Sequence, residues 1–419
     1  MNAQLVGAQV MAFDTVVNHA LANAPSVQVA RSQVGLADAA IEGQKPLLPA
    51  NPTVQFGLGA RGNTAVSGAT FELQFQAMQP LEIAGERKRR IDVARKLRGQ
   101  YEKSVEQVQW EIYVQVHLAY NRALLARARA LTRARLVAFS EHLLDVAQRR
   151  AQAGEISDLR VRVAEGELAQ ARQAALAAAL NYRLACIELT EVSGFSASQT
   201  VVPAGEMQVP QAIEVNDTML TQATTEHPAV KTYDAAIVTS QARITSADRD
   251  RWPHPQIGFA VNTESEPGSG SRSTVGMAQV GLPLPMWRRN QGKRAQARAQ
   301  LRVAQSKRQA LQYTLSQRIR RAADALNTAA FRVSSYSREV VPKFEANMTL
   351  LERAYALGET NLLEVLVARE RFLKIQTEAL DAYGKYFEAV YELERHTGQP
   401  FSQVGKPVPA PVVESPAQQ

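Results

Sequence analysis

The sequence predicts a mainly α-helical chain made of two copies of one unit, each running helix, β-hairpin, long helix, reversal and returning helix. Three observations predict this fold class. The first is internal repetition: Ala24-Pro25-Ser26-Val27 recurs as His227-Pro228-Ala229-Val230, and Ala153-Gly154-Glu155 as Leu357-Gly358-Glu359. Asn51-Pro52-Thr53-Val54-Gln55-Phe56-Gly57 likewise recurs as His254-Pro255-Gln256-Ile257-Gly258-Phe259-Ala260. Landmarks in one order, at a nearly constant offset of about two hundred residues, imply a duplicated half rather than a short solenoid repeat. The second is a pair of apolar–polar alternating runs in each copy, the period of a strand with one buried face. The third is a long stretch after each pair whose apolar residues step by three and four, the period of a packed helix.

In order along the chain, residues from about Phe13 to Gln44 read as a helix closed by the breakers Pro46, Pro49 and Pro52. In the strand Thr53 to Gly59, Val54, Phe56 and Leu58 share one face. In the strand Thr70 to Met78, Phe71, Leu73, Phe75 and Ala77 oppose Glu72, Gln74 and Gln76. The turn-rich segment 60–68 joins them as a hairpin. Its length and alternation fit a transmembrane strand pair, and equally an amphipathic hairpin on a soluble core. The second copy repeats it, with Ile257, Phe259 and Val261 on one face and a return over about Ser273 to Leu282. There Ala278, Val280 and Leu282 share a face, while Val275 and Met277 fall on the other.

From Gln100 to Ala153 there is neither glycine nor proline. Val105, Val108, Ile112 and Val116, then Leu136, Phe139, Leu143 and Val146, form a coiled-coil-like seam. The helix should run from the hairpin to Gly154, on the order of 100 Å at 1.5 Å per residue. Its counterpart runs from about Lys293 to Leu357, with Pro342 expected to kink it. Gly154 and Gly358 suit the left-handed position that ends a helix. Ser157 is expected to cap the helix from Asp158 to Val192, and Asn361 with Glu364 the one from Leu362 to His396. The expected division is a first repeat over 12–196, a linker over 197–215, a second repeat over 216–398 and a disordered Pro-rich tail over 399–419.

Composition narrows the chemistry. The 419 residues carry a formal charge of +8, with both signs mixed along helices as on solvated faces. The 12 Phe, 11 Tyr and 3 Trp do not interleave with the basic runs as a base-stacking surface would. The one cysteine, Cys186, reads as a small buried hydrophobe. The six histidines are scattered, no phosphate loop or catalytic triad stands out, and neither enzyme activity nor a cofactor or metal ligand set is expected. Residues 1–8 lack a basic segment followed by an apolar core, so no export signal is read there. No run of 18 apolar residues offers a transmembrane helix, which leaves a closed β-barrel as the way to span a bilayer.

Two basic clusters, Glu86-Arg87-Lys88-Arg89-Arg90 and Arg288-Arg289-Asn290-Gln291-Gly292-Lys293-Arg294, follow the second strand of each hairpin. They fit a membrane rim facing lipid phosphates, or a solvated helix surface. Glu155, Asp158, Glu359 and Glu364 flank the reversals, where acidic residues either stabilise helix N-termini or, repeated about an axis, form a charge ring.

At these motifs the chain resembles the TolC-like outer-membrane efflux proteins, over about residues 12 to 398. Tyr355-Ala-Leu-Gly358-Glu359-Thr-Asn361-Leu-Leu-Glu364 resembles the family's periplasmic-tip motif, and Ala151-Gln-Ala-Gly154-Glu155-Ile-Ser157-Asp158 is its first-copy counterpart. Gln79-Pro80-Leu-Glu-Ile-Ala-Gly85-Glu-Arg87 and Leu282-Pro283-Leu-Pro285-Met-Trp-Arg-Arg-Asn290-Gln291-Gly292 resemble the heavy-metal-resistance branch, the cobalt–zinc–cadmium and copper–silver exporters. The resemblance implies a homotrimer in the outer membrane with four membrane-spanning strands per chain. Twelve strands would form one barrel, continuous with an α-helical tunnel in the periplasm. It implies a passive exit channel serving an inner-membrane pump through a periplasmic adaptor, and exporting heavy-metal cations. Drug or protein export, or a soluble helical scaffold, are the alternatives. Gly154, Glu155, Ser157, Asp158, Tyr355, Gly358, Glu359 and Asn361 would form the adaptor-docking tip, and Glu364 a tunnel charge ring. Val54, Phe56, Leu58, Phe71, Leu73, Phe75, Ile257, Phe259 and Val261 would face lipid. Thr360 stands where some relatives carry an arginine that locks the closed state, so that lock does not carry over.

Overall fold

The computed structural model describes residues 8–63, 66–207, 209–265, 271–401 and 407–408. The elements follow the duplicated order. The first copy holds α1 (Phe13–Asn23), α2 (Pro25–Glu42), the hairpin β2 (Thr53–Asn63) and β3 (Val66–Pro80), then α3 (Glu86–Gln152) and α4 (Asp158–Val192), all preceded by β1 (Ala8–Met11). After β4 (Thr200–Pro203) and β5 (Ala212–Ile213), the second holds α5 (Asp217–Glu226), α6 (Pro228–Arg249), the hairpin β6 (Gln256–Ser265) and β7 (Arg272–Gly281), then α7 (Gln291–Ser335), α8 (Val341–Ala356) and α9 (Leu362–Thr397). A two-residue strand, β8 (Pro407–Val408), ends the described chain.

Several expectations need correction. The single helix over 13–44 is two, because Ala24 turns extended at ψ 137° ahead of Pro25, which opens α2. A residue before proline is pushed out of the helical region, and proline fits a first turn whose N–H has no partner anyway. The second copy breaks identically at His227–Pro228. The hairpin connectors are shorter than expected, since β2 and β3 extend to Asn63 and from Val66; residues 64–65 and 266–270 lie outside those described. The linker is not featureless: β4 pairs in parallel with β1, and β5 antiparallel with β8. That last pairing, and Phe401 donating its backbone N–H to Glu394 at 2.7 Å, give the start of the tail a structured role. The remaining tail residues, 402–406 and 409–419, lie outside those described.

Pro342 interrupts the second long helix as expected, and the form is specific. Tyr336–Val340 adopts π-helical geometry, and Pro342 sits in the first turn of α8. Proline has no N–H to donate and its ring crowds the carbonyl four residues earlier, so the wider turn absorbs the clash. In the first copy α3 runs 67 residues without a break.

The chain divides into two compact units. One holds residues up to Ala30, Val105–Val230 and everything from Ala310; the other holds Arg31–Ser104 and Lys231–Gln309. In the first, Val16, Ala20, Val27, Val116, Tyr120 and Leu189 form one core with Cys186, which is fully buried as expected. Burial raises its thiol pKa, so it packs as an inert apolar group. Ile319, Leu326, Val333, Phe387 and Leu393 form a second core in that unit. The other unit carries a four-stranded antiparallel sheet in the order β2-β3-β6-β7, in which the two hairpins join edge to edge through β3 and β6.

Candidate functional site

Two features stand out, one in each unit. The first is the apolar face of the sheet. Register places Val54 opposite Ala77, Phe56 opposite Phe75 and Leu58 opposite Leu73. Across the seam Phe75 meets Val261 and Ala77 meets Phe259, and on the last pair Ile257 meets Val280 and Phe259 meets Ala278. Directly opposed residues share a face, so one apolar surface crosses all four strands. Phe56 packs on Phe75 at 5.0 Å between ring centres, and Phe75 on Phe259 at 5.6 Å. The opposite face carries Gln55, Gln74 and Gln76, and Gln76 donates to the Gln279 side chain at 2.9 Å. Val275 and Met277 fall on this second face, as the alternation foretold.

The apolar face is bare. Phe56 is 80% exposed, Leu58 83% and Val280 77%, with Val54, Phe71, Leu73, Ile257 and Phe259 also exposed. Burying one such side chain is worth about 1.5–3 kcal/mol, so leaving the set in water forfeits on the order of 10 kcal/mol, comparable to a whole domain's stability. Such a surface marks a face meant to be covered. β2 and β7 each have one unpaired edge within the sheet. Long open edges pair with other strands unless protected.

The second feature is the pair of reversals. Gly154 and Gly358 sit at φ +77° and +82°, a region that a side chain's Cβ strains. Each closes its helix with the same two bonds. Glu155 N donates to Arg150 O and Gly154 N to Ala151 O, both at 2.9 Å; Glu359 N donates to Ala354 O at 2.9 Å and Gly358 N to Tyr355 O at 3.1 Å. This is the paired Schellman closure of a helix C-terminus. The structure brings the two reversals together through Arg150. Its guanidinium donates to the Glu155 carboxylate at 2.9 Å and to the Tyr355 carbonyl at 3.1 Å, and lies over the Tyr355 ring at 5.4 Å.

Of the residues expected at this tip, Glu155, Ser157, Asp158, Glu359, Asn361 and Glu364 are exposed. Tyr355 is buried against Leu143, Val146, Leu362 and Val365, where it packs beneath the reversal. Burial raises its hydroxyl pKa despite the nearby Arg150. Ser157 occupies the cap position of α4 but makes no side-chain cap bond, which corrects that expectation. Asn361 does cap α9, accepting from Glu364 N at 2.9 Å. The Glu364 carboxylate accepts from Asn361 Nδ2 at 2.8 Å and from the Thr360 hydroxyl. Both of its oxygens are thus turned back onto the start of its own helix.

Sequence reasoning missed Arg150 and Arg369. Arg369 is buried, donating to Glu167 at 2.8 Å and to Ser140 at 3.4 Å, and so ties α9 to α4 and α3. The signal was present: Leu362, Val365 and Arg369 step by three and four, which places the charge on the buried stripe. The basic cluster of α3 is partly structural. Arg87 donates to the carbonyls of Gln44, Lys45 and Pro46, and Arg90 to Gln44 and Glu82. Among the described residues no group of three or more His, Cys, Asp or Glu side chains could hold a metal ion. Among the described residues, too, no helix is long and apolar enough to cross a membrane.

The cobalt-zinc-cadmium resistance protein CzcC of Cupriavidus metallidurans is 22% identical over 76% of this chain and 75% of its own length. The nickel-cobalt-cadmium resistance protein NccC of Alcaligenes xylosoxydans xylosoxydans is 24% identical over 65% of this chain, a span that covers 61% of that relative. Among solved structures, a membrane protein from Pseudomonas aeruginosa superposes with a TM-score of 0.73 at 18% identity, over 92% of both chains. CusC superposes with a TM-score of 0.70 at 16% identity, again over 92% of both. At such identities the superpositions speak for the fold, which is that of the TolC-like channels. The sequence profile of outer membrane efflux proteins matches residues 16–194 and 219–399, one stretch in each copy. The chain belongs to the outer membrane efflux protein family.

Proposed function

We propose that three copies of this chain form a passive exit duct in the outer membrane for heavy-metal cations, fed by an inner-membrane pump through a periplasmic adaptor. The observation that carries the reading is the four-stranded sheet with a bare apolar face and an open edge on each side. Four strands are too few to close a barrel, since the small barrels need about eight. Three copies joined β7 to β2 supply twelve, remove every edge and turn the apolar face to lipid. The polar face, with Gln55, Gln74, Gln76 and Gln279, then lines the lumen.

A second unpartnered surface supports the trimer. On α4, Leu176, Leu180, Leu184 and Ile187 step by four, four and three and are each about half exposed. A stripe with that spacing fits a neighbouring helix, and a second copy of the chain would supply it. The two Schellman reversals, with Glu155, Asp158, Glu359 and Asn361 exposed around them, are the docking face for the adaptor. The metal cargo rests on the similarity to CzcC and NccC, which are named for cobalt, zinc, cadmium and nickel resistance.

Adjacent strand positions test the barrel. Leu73 lies on the apolar face and Gln74 on the polar one. A Lys or Arg facing lipid near the midplane costs about 2–4 kcal/mol, whereas one facing the lumen is tolerated. Leu73→Arg should cut the amount of trimer recovered from outer membranes and Gln74→Arg should not. Equal recovery of the two variants would remove the barrel assignment.

A further inference from the structure

The connections at the helix-side end of the second hairpin form a platform that the duct reading leaves unused. Between β7 and α7 the chain runs Leu282-Pro283-Leu284-Pro285-Met286-Trp287-Arg288-Arg289-Asn290. It is held in one shape. Met286 N donates to Leu284 O at 2.9 Å, Arg289 Nε to Pro285 O at 3.2 Å, and the Gln291 side chain to Trp287 O at 3.0 Å. Asn290 is the one described non-glycine residue at positive φ, +58°, and its side chain donates to Ala247 O at 2.9 Å, pinning the loop to the end of α6. A loop fixed this firmly still leaves Leu284 68%, Met286 61% and Trp287 82% exposed.

Facing it is the α6–β6 connection, where Trp252 is 46% exposed and the Arg251 guanidinium lies 5.8 Å from the centre of its ring. Together the two connections line a groove of about 640 Å³. Its walls are prolines, Leu284, Met286 and the two tryptophans; its charges are Arg251 and Arg288 against Asp250, with His254 at one side, 3.7 Å from the buried Glu86 carboxylate. Arg289 adds a third exposed cation next to the groove. Of the three tryptophans in the chain, two are here.

We infer that this groove seats an anionic phospholipid, with Arg251 and Arg288 supplying the countercharge to its headgroup. The inference rests on the proposed membrane barrel. Three observations select the occupant. Ile257, next in the chain to the groove-lining Gln256, and its partner Val280 are 47% and 77% exposed, so the sheet's bare apolar face begins one residue from the groove and an acyl chain along that face would bring its headgroup here. The tryptophans stand at the strand ends, where their rings are at home at the level of lipid headgroups. The uncompensated charge is positive, and basic residues beside such a surface enrich anionic lipid. A soluble peptide would explain neither the nearness of the bare apolar face nor the position at the strand ends.

The test uses the full-length protein with Trp110→Phe, which leaves Trp252 and Trp287 as the emitters. It is reconstituted into phosphatidylcholine vesicles containing a minor fraction of either brominated phosphatidylglycerol or brominated phosphatidylcholine, and flotation of the protein with the vesicles is scored separately. Each arginine near an anionic headgroup is worth about a five-fold enrichment. The inference therefore expects half-quenching at several-fold less brominated phosphatidylglycerol than brominated phosphatidylcholine. It expects that preference to vanish in Arg251→Gln/Arg288→Gln while flotation persists. Floating protein quenched equally by both lipids would overturn the lipid site and leave the barrel standing. Protein that fails to float would overturn the barrel, and the lipid site with it.

Discussion

Gly258 is the most exacting point in the sheet. It lies in β6, opposite Met78 of β3, on the seam that joins the two hairpins. A Cβ added there would fall inside contact distance of the Ala77 carbonyl oxygen and the Met78 sulfur, and 3.1 Å from the Ala77 carbonyl carbon. The sulfur ends a flexible side chain and can move; the carbonyl is backbone in a paired strand and cannot without opening the seam. Overpacking costs about 1–3 kcal/mol, and weakening a neighbouring ladder bond adds about 1 kcal/mol. Gly258→Ala should therefore destabilise the sheet by about 3 kcal/mol, on the order of a hundred-fold in the folded fraction. Gly276, in β7, is the internal control, because nothing lies within 4 Å of a Cβ added there. Gly276→Ala should be neutral within about 0.5 kcal/mol. Denaturant unfolding of the detergent-solubilised protein, followed by the fluorescence of Trp252 and Trp287 beside these strands, measures both. Coincident unfolding curves for the two variants would refute the described pairing of β3 with β6.

Two further predictions concern the reversals. At Gly358 the obstacle is the backbone rather than space, since a Cβ would meet only the Arg150 guanidinium, 3.5 Å from Nη2 and 3.9 Å from Cζ. Gly358→Val should cost about 1–3 kcal/mol locally and abolish export of metal in cells while leaving outer-membrane assembly intact, and wild-type export with unchanged adaptor cross-linking would count against the docking role. Glu364→Gln keeps the backbone cap on Asn361 and removes the charge; because both carboxylate oxygens are turned onto Thr360 and Asn361, cation selectivity in planar bilayers should match wild type, and a fall in selectivity would restore the charge ring.

The long helices were legible because their signals are local and continuous. The absence of breakers and the seam at Val108, Ile112 and Val116 fixed α3, and Gly154 and Gly358 marked its end and that of α8. Pro25 and Pro228 carried the helix breaks as plainly, and the reading of one helix over 13–44 passed over the first of them. β1 with β4 and β5 with β8 were not legible, because strands of two to four residues are set by tertiary pairing rather than by a pattern of their own. Arg150 escaped for a different reason: it is one of many arginines on α3, and only the fold sets it between two reversals some two hundred residues apart. The apolar faces of the hairpins were read correctly, while what covers them depends on neighbours that one chain does not contain.

That neighbour is the central claim, and the open edges test it most directly. In a Cys186→Ala background, Gln55→Cys on the free edge of β2 is combined with Gln279→Cys or Met277→Cys on the free edge of β7. All three positions lie on the polar face, and Gln55 and Gln279 stand at the helix-side ends of their strands. If β7 of one copy pairs with β2 of the next, some of these cysteines come within the roughly 7 Å between Cα atoms that a disulfide needs. Oxidation of cells carrying the paired variants should then yield a covalent ladder on non-reducing gels that stops at the trimer, with each single-cysteine variant remaining monomeric. A cross-linked monomer, a ladder continuing past three, or no cross-link in any pairing would contradict the twelve-stranded barrel.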